Sequence, residues 1–342
     1  MVRKSKWIQG TSPEEPVSRA ARDALRARLR TVQYYLPLAA HKSDRDVEYV
    51  HQLRVATRRA MAAVSIFRSL LSPTKADWLE KQLTRVRRAA GDARDYDVLC
   101  RRLAPWVQEQ PTRPRVALLE RVQALREDAQ RPVRKAYARL ERLQFSGRVK
   151  KLLKRIRWRD RGIDEGNIDN AREETRDNGC DRGEPTFAAA AARFLGGAVD
   201  AFFLAGACDP HDAAAVHRFR IVGKQLRYSM EVFAGAFDAD FRASLYPLIE
   251  EVQEKLGEMN DHATAIERFA AWQREWNDPQ LDQPLAELLA VERAALEQSR
   301  ARVFAWWTRR RADDLRSLFD AALLERTVPQ DDQAAPREEK TA

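Results

Sequence analysis

A repeat with a period of 166 residues constrains the fold of this chain more than any other feature of its sequence. The stretch "HQLRVATRR" begins at His51, and the stretch "HRFRIVGKQLRY" begins at His217. Both place cations three and seven residues after the histidine. The register continues without a gap through Phe67, which matches Phe233, to Asp95, which matches Asp261. A shared period of this length predicts two structural halves with one architecture.

The residues between the repeated motifs predict an all-α fold. Long stretches of Ala, Leu, Arg and Glu carry periodic apolar positions, and the 342 residues include only 13 glycines. This pattern predicts an almost wholly helical protein. Helix starts are predicted at Ser43, in "SDRD", and at Asp209, which precedes a proline. The predicted segments are a basic N-terminal extension (1–16), a first half (17–160), a polar linker (161–183), a second half (184–326) and a disordered tail (327–342).

Cysteine usage and hydropathy predict a cytoplasmic protein. The three cysteines show neither paired nor metal-like spacing, and no apolar core follows the basic N-terminus. The longest apolar stretch, residues 187–207, contains Arg193 and Asp200 and is rich in alanine. We therefore expect this stretch to be a packing helix, and we expect no membrane partner.

Positive charge is concentrated in the first half of the chain. Residues 1–165 carry 39 Lys and Arg against 19 Asp and Glu, whereas the remaining residues carry 22 against 32. Such asymmetry is typical of proteins that face a polyanion or an acidic surface. Exposed arginine that serves only solubility is the alternative interpretation, and composition alone does not decide between the two.

The repeated motifs place their cations on one face of a helix. At about 100° per residue, each polar face spans an arc of roughly 100° and lies opposite an apolar stripe. The polar faces consist of His51, Arg54 and Arg58 in the first copy and of His217, Arg220, Lys224, Arg227, Tyr228 and Glu231 in the second.

Two further stretches are basic. The helix predicted after the first motif presents Lys81, Arg85 and Arg88, whereas the matching face of the second half is acidic with Lys255 nearby. A short amphipathic helix in "FSGRVKKLLKRIRW" presents a third basic face. Its cations are Arg148, Lys151 and Arg155. The predicted binding surface is therefore lopsided.

Three carboxylates near these faces, Asp95, Asp261 and Glu231, are predicted to support the arginines. Asp95 and Asp261 follow matched glycines, and a carboxylate there orients a neighbouring guanidinium by ion pairing. His51 has no second ligand at helical spacing, so the sequence predicts neither a metal site nor a cofactor. An ordinary solvated face remains the alternative for any single helix, but such a face does not explain the same cationic pattern in both halves.

These motifs resemble the CHAD family, named for conserved histidines in an α-helical domain. The resemblance rests on "VHQLRVATRRAMAAVSIFRSLL" with "GDARDYDV", and on "VHRFRIVGKQLRYSMEVF" with "LGEMNDH". It implies two pseudo-symmetric helical bundles around a basic central pore, binding of inorganic polyphosphate without catalysis, and association with polyphosphate granules and their proteins. It also adds Arg59 to the pore residues.

Two other functions stay open from the residues alone. A nucleic-acid binder would use the same positive charge, but single-strand readers offer stacking aromatics and these faces offer only Tyr228. An enzyme acting on phosphoanhydrides would need carboxylates that recruit Mg²⁺, which are few on these faces. In either binding role, affinity is expected to rise as the pH falls through roughly 6.5 and the histidines gain charge.

Overall fold

The computed structural model describes residues 5–158 and 183–327. Within these two ranges the chain is helical and forms no β-strand; Pro16 and Thr186 form an isolated antiparallel bridge. The prediction of an all-α fold is confirmed. The predicted linker and tail fall, apart from residues 183 and 327, outside the described residues.

Twelve α-helices make up the described residues. The first half contains α1 (Val17–His41), α2 (Glu48–Ile66), α3 (Pro73–Ala89), α4 (Gly91–Glu109), α5 (Arg113–Asp128), α6 (Gln130–Arg142) and α7 (Phe145–Leu153). The second half contains α8 (Phe187–Gly206), α9 (Ala213–Phe233), α10 (Tyr246–Trp276), α11 (Pro279–Trp306) and α12 (Arg309–Thr327). A short π-helical turn, Phe241–Leu245, leads into α10.

Two hydrophobic cores hold the helices together. The larger core joins the hairpin of α1 and α2 to that of α8 and α9, with α3, α6, α7 and α12 packed around them. The smaller core forms where α4 and α5 pack against α11 and the C-terminal part of α10. Both cores contain residues of both halves, so burial of apolar surface joins the halves as well as folding each of them.

The helix bounds agree with the predicted repeat. Shifted by 166 residues, α2 would run from 214 to 232, and α9 runs from 213 to 233. Phe67 and Phe233, which the shift superimposes, contact each other across the two halves with ring centroids 5.9 Å apart. Contact between equivalent residues is what an approximate two-fold axis between the halves would produce. The internal repeat and the pore stay predictions.

Both predicted helix starts are a few residues too early. Residues 42–46 form a turn, and α2 begins at Glu48, whose N–H donates to Asp46 Oδ1 at 2.9 Å. Ser43 is buried, and its carbonyl accepts a hydrogen bond from Arg126 at 2.8 Å. In the second half Asp212 caps α9 by accepting from the N–H groups of its first turn. Tertiary contacts of the turn therefore override the local capping pattern in the first half.

The equivalent of α3 and α4 in the second half is one continuous helix. Here α3 ends at Ala89 and α4 begins at Gly91, whereas α10 runs unbroken for 31 residues. The two halves therefore differ in shape beside the repeated motifs.

Two predicted segments pack on the bundles. In the N-terminal extension Ile8 is buried, and the Trp7 ring lies 4.6 Å from that of Tyr246. The apolar helix α8 is long and apolar enough, by length and composition, to cross a membrane. In this fold α8 packs against α9 and α12, and it buries side chains such as Phe202.

Candidate functional site

The two repeated motifs lie on α2 and α9, and these two helices pack against each other. We call the surface between α2 and α9 the junction. Lys224 is half-buried there, and its burial together with the like charges of Arg220 and Arg58 lowers its pKa to about 7. Burial also lowers the pKa of Arg220, and Arg58 lowers it further. Arg58 and Lys224 are equivalent positions in the repeat, so equivalent cations of the two halves lie side by side at the junction.

Three junction cations have no counter-ion within the part of the chain that the structure describes. Arg58, Arg220 and Lys224 form no ion pair with a carboxylate, and the Nε atom of Arg220 is buried without a hydrogen-bond partner. The exposed Asp261 of α10 opposes the lowering of the pKa of both Arg220 and Lys224. The junction is therefore a place where positive charge exceeds its compensation.

Arg54 is held at the break between α3 and α4. Its Nη1 donates to the carbonyl of Ala90 at 3.3 Å, and its Nη2 lies 3.7 Å from Asp95. Burial raises the pKa of Asp95, and Arg54 opposes that rise. A methyl group at Gly91 would lie 3.3 Å from Arg54 Nη1, so the glycine leaves room for the guanidinium. Asp95 therefore lies beside Arg54, and its role in orienting Arg54 stays a prediction.

Three further arginines, which the sequence reasoning missed, extend the positive region. Arg87 of α3 and Arg94 of α4 both contribute to lowering the pKa of Arg54, after burial. Burial and Arg101 in turn lower the pKa of Arg94, whose Nη1 is buried without a hydrogen-bond partner. Arg94 and Arg101 are seven residues apart, which puts them on one face of α4. That spacing was the signal available in the sequence.

The two repeated histidines differ in their surroundings. His51 is half-buried, and its burial followed by the nearby charge of Arg94 lowers its pKa below the usual value. His51 is therefore neutral at pH 7 in the free protein. His217 lies on the cationic face of α9, three residues before Arg220, and is exposed.

Glu231 anchors a buried ion-pair network beside the junction. It is fully buried and accepts hydrogen bonds from Arg59 Nε at 2.6 Å, from Arg59 Nη2 at 2.9 Å and from the Tyr246 hydroxyl at 2.9 Å. Arg28 of α1 lies 3.5 Å from the same carboxylate. Arg59 thus uses its guanidinium fork within the protein, and its predicted contact with a ligand would have to compete with Glu231.

Arg227 and Tyr228 lie at the edge of this network. Arg227 Nη1 is 3.8 Å from Glu231 and 3.5 Å from Glu250, and its guanidinium lies 5.0 Å from the centre of the Tyr228 ring. Tyr228 is only 7% exposed. Its ring is therefore not offered to solvent for stacking.

Other predicted binding residues lie outside α2 and α9. On α3, the predicted cations lie roughly 100–160° around the helix from Arg87, whose charge contributes to lowering the pKa of Arg54 after burial. Lys255, on α10, lies 3.6 Å from Glu251 and 4.8 Å from the centre of the Trp306 ring. The roles of these residues in binding stay predictions; they are Lys81, Arg85, Arg88, Arg148, Lys151, Arg155 and Lys255.

A metal centre finds no support among residues 5–158 and 183–327. These ranges contain no group of three His, Cys, Asp or Glu side chains arranged to hold a metal ion. His262 pairs instead with the buried Glu292, through Nδ1 at 2.7 Å, and Arg102 Nη1 lies 2.9 Å from the same carboxylate.

The fold and the junction define an all-helical domain that gathers cations from two sequence-related helices. The sequence profile of the CHAD domain matches residues 23–270, and the chain belongs to that family. The crystal structure of the CHAD domain from the plant Ricinus communis is similar, with a TM-score of 0.65 and 20% identity over 92% of this chain and 96% of that one. PptA from Streptomyces chartreusis is also similar, with a TM-score of 0.54 and 20% identity over 86% of this chain and 99% of that one. No curated protein matches the sequence significantly.

Proposed function

We propose that the protein binds inorganic polyphosphate at the junction, with the phosphate chain lying between α2 and α9. One observation carries the proposal: Arg58, Arg220 and Lys224 are crowded together, partly buried and without counter-ions in the described chain. Cations arranged in this way repel one another in the free protein. An anion that binds among them removes the repulsion and stabilises the folded state.

The residue types suit a linear chain of phosphates. Arginine offers a planar fork to two oxygens and keeps its charge, whereas lysine offers a mobile point charge. Residues three and four apart on a helix place donors about 5–6 Å apart. Because α2 and α9 face each other, successive phosphates would meet donors from both halves.

The aromatic residues favour polyphosphate over nucleic acid. Readers of single strands stack bases on exposed aromatic rings. At the junction the only predicted aromatic, Tyr228, is buried with Arg227 over its ring. The family membership points the same way, and with it we propose a binding role without catalysis, in the cytoplasm and on polyphosphate granules.

The test is calorimetric titration of the folded protein with medium-chain polyphosphate at two salt concentrations. We expect binding that weakens with salt and that excess DNA does not displace. The double variant Arg58→Glu/Lys224→Glu should abolish binding. Its matched control, Arg193→Glu/Arg293→Glu, changes the net charge equally at two exposed positions that form no ion pair in the described chain, and should bind normally.

Three results would contradict the proposal. Undiminished binding by a folded junction variant would remove the junction from the interaction. Efficient displacement by DNA would favour a general polyanion binder. Release of orthophosphate from polyphosphate with Mg²⁺ would show turnover, and with it an enzyme.

A further inference from the structure

A second group of cations surrounds a cleft between the start of α3 and the end of α7. The cleft has a volume of about 450 Å³. Its lining residues are Leu71, Ser72, Lys75, Leu152, Lys154, Arg155, Ile156 and Arg157. Four of these eight side chains are cationic and none is acidic, so the described lining of the cleft is a concave surface of one charge.

The floor and wall of this α3–α7 cleft are held in place. Leu71, Leu152 and Ile156 are buried in the larger core and form an aliphatic floor. Arg22 of α1 donates from Nε to the carbonyl of Leu153 at 3.3 Å and from Nη2 to that of Ile156 at 3.0 Å. These bonds fix the segment that carries the cations, so the cleft is preformed.

Three of the four cleft cations have no acidic partner within the described residues. Lys154, Arg155 and Arg157 are exposed and form no ion pair within the described residues. The carboxylates of α3, Asp77 and Glu80, are both bound by Arg68. A solvated face commonly mixes charges of both signs, which this cleft does not.

The positive surface continues out of the cleft along α3. The guanidinium of Arg148, on α7, lies 5.7 Å from the centre of the Trp78 ring. On α3, Trp78 lies about one helical turn beyond Lys75. Arg148 therefore covers the Trp78 ring with charge. The cleft thus offers cationic hydrogen-bond donors above an aliphatic floor, and the Trp78 ring beside it is covered. Such a surface suits a chain of anionic groups better than a nucleic-acid base, which needs an open ring for stacking.

Geometry separates the cleft from the junction. On α3, Lys75 lines the cleft and Arg87 acts on Arg54 of α2. These two residues are twelve positions apart, which is about 18 Å at 1.5 Å per residue. This exceeds the Debye length of about 8 Å at physiological salt. The two cationic sites therefore attract anions independently of each other.

We propose that the α3–α7 cleft is a second polyphosphate-binding site, so that one protein molecule is bivalent and joins two phosphate chains or two segments of one chain. The inference rests on the proposed function, since it takes the same ligand class. It assigns binding to Lys75, Lys154, Arg155 and Arg157, and it separates the α7 cations from those of α2 and α9. Bivalency would let the protein cross-link long chains.

Calorimetric titration with tripolyphosphate, which is too short to reach from one site to the other, tests the inference. We expect two sites per wild-type molecule. Lys154→Glu/Arg157→Glu should remove one site, and Arg58→Glu/Lys224→Glu should remove the other. The Arg193→Glu/Arg293→Glu variant should keep both. If a reversed-charge cleft variant fails to fold by circular dichroism, the neutral variant Lys154→Gln/Arg157→Gln replaces it.

The outcomes separate the two proposals. One site that disappears only in the junction variant would overturn the second site and leave the proposed function intact. One site that disappears only in the cleft variant would overturn the junction as the polyphosphate site. No binding by folded wild-type protein would overturn both.

Light scattering with long-chain polyphosphate gives an independent readout of bivalency. Cross-linking should make the wild-type mixture scatter strongly at intermediate ratios of protein to polymer and clear again in excess polymer. Each single-site variant should bind the polymer without this rise. Equal scattering by the cleft variant and the wild type would contradict bivalency.

Discussion

Arg59 of α2 donates two hydrogen bonds to Glu231 of α9, from Nε at 2.6 Å and from Nη2 at 2.9 Å. This bidentate pair joins the two halves beside the junction and is largely buried, since Glu231 is fully buried and the Arg59 side chain is 18% exposed. It neutralises one arginine of the repeated motif, whereas Arg58, the preceding residue, has no carboxylate partner in the described chain. Adjacent cations of one motif thus have different roles, one within the protein and one facing the junction.

Replacing Glu231 with glutamine should destabilise the protein strongly. The variant leaves Arg59 and Arg28 without their buried counter-ion, and breaking a buried pair from one side costs about 3–5 kcal/mol. Chemical denaturation measures the change in the free energy of unfolding. Glu250→Gln is the control, since Glu250 is 43% exposed and its loss should cost about 1 kcal/mol or less. Equal effects of the two substitutions would contradict the anchoring role of Glu231.

Arg58→Met and Lys224→Met should each make the free protein more stable and the complex weaker. Each removes one of the crowded cations while keeping an unbranched apolar stem, so repulsion falls. Losing one charged hydrogen-bond donor costs about 1.5–3 kcal/mol of binding, or roughly 10–100-fold in affinity. Thermal unfolding with and without polyphosphate measures both effects. A lower Tm of the free variants would show that these cations stabilise the fold instead.

Lys224 should make binding pH-dependent and coupled to proton uptake. Its pKa is about 7 in the free protein because of burial and the charges of Arg220 and Arg58. A bound polyanion favours the charged form, so affinity should fall as the pH rises above about 7, by up to tenfold per pH unit for one proton. Titrations in buffers of different ionisation enthalpy measure the uptake. Lys224→Met should abolish it, and equal uptake by the variant would assign the proton to another group.

The histidines take a smaller part in this pH dependence than the sequence suggests. A charge change near pH 6.5 was expected of both, but burial and Arg94 lower the pKa of His51. A polyanion would have to raise that pKa before His51 gained charge near neutral pH. A His51→Gln variant should therefore keep most of the affinity at pH 7.5, and a loss as large as that of Arg58→Met would contradict this.

Lys224 also affects the stability of the free protein. The pKa of Lys224 is lowered on folding from 10.5 to about 7, so the unfolded chain binds more protons between those values. The contribution of Lys224 to the free energy of unfolding is therefore least favourable below pH 7 and becomes more favourable as the pH rises toward 10.5. Denaturation of wild type and Lys224→Met across this range should converge at high pH. A constant difference would contradict the shift.

Gly91 and Gly257 offer a matched pair of substitutions at equivalent positions of the repeat. A methyl group at position 91 would lie 3.3 Å from Arg54 Nη1, whereas one at position 257 meets nothing within 4 Å. Gly91→Ala should push the Arg54 guanidinium aside and weaken binding several-fold. Gly257→Ala should leave binding unchanged and stabilise α10 by about 0.5–1 kcal/mol. Equal binding by both variants would show that the position of Arg54 is not critical.

Local sequence determined the helices and the composition of their faces. The period of the apolar residues predicted both α2 and α9. It also predicted that His51 and Arg58 share the polar face of α2 and that His217 and Lys224 share that of α9. These predictions were possible because side-chain direction on a helix follows from position alone. The same reasoning placed the start of α2 too early, since the buried carbonyl of Ser43 and its bond to Arg126 hold residues 42–46 in a turn.

Tertiary structure alone decided which cations meet. The sequence grouped Arg54, Arg155 and Lys255 into one predicted surface. In the fold Arg54 lies beside Asp95, Arg155 lines the α3–α7 cleft, and Lys255 lies against Glu251. The same packing brought Arg94 to the junction and paired Arg59 with Glu231, 172 residues away. An electrostatic site depends on distances between helices that share no local sequence. The chain by itself therefore determined which faces are positive, and the packing of the two halves decided which of those charges are paired and which are left to bind an anion.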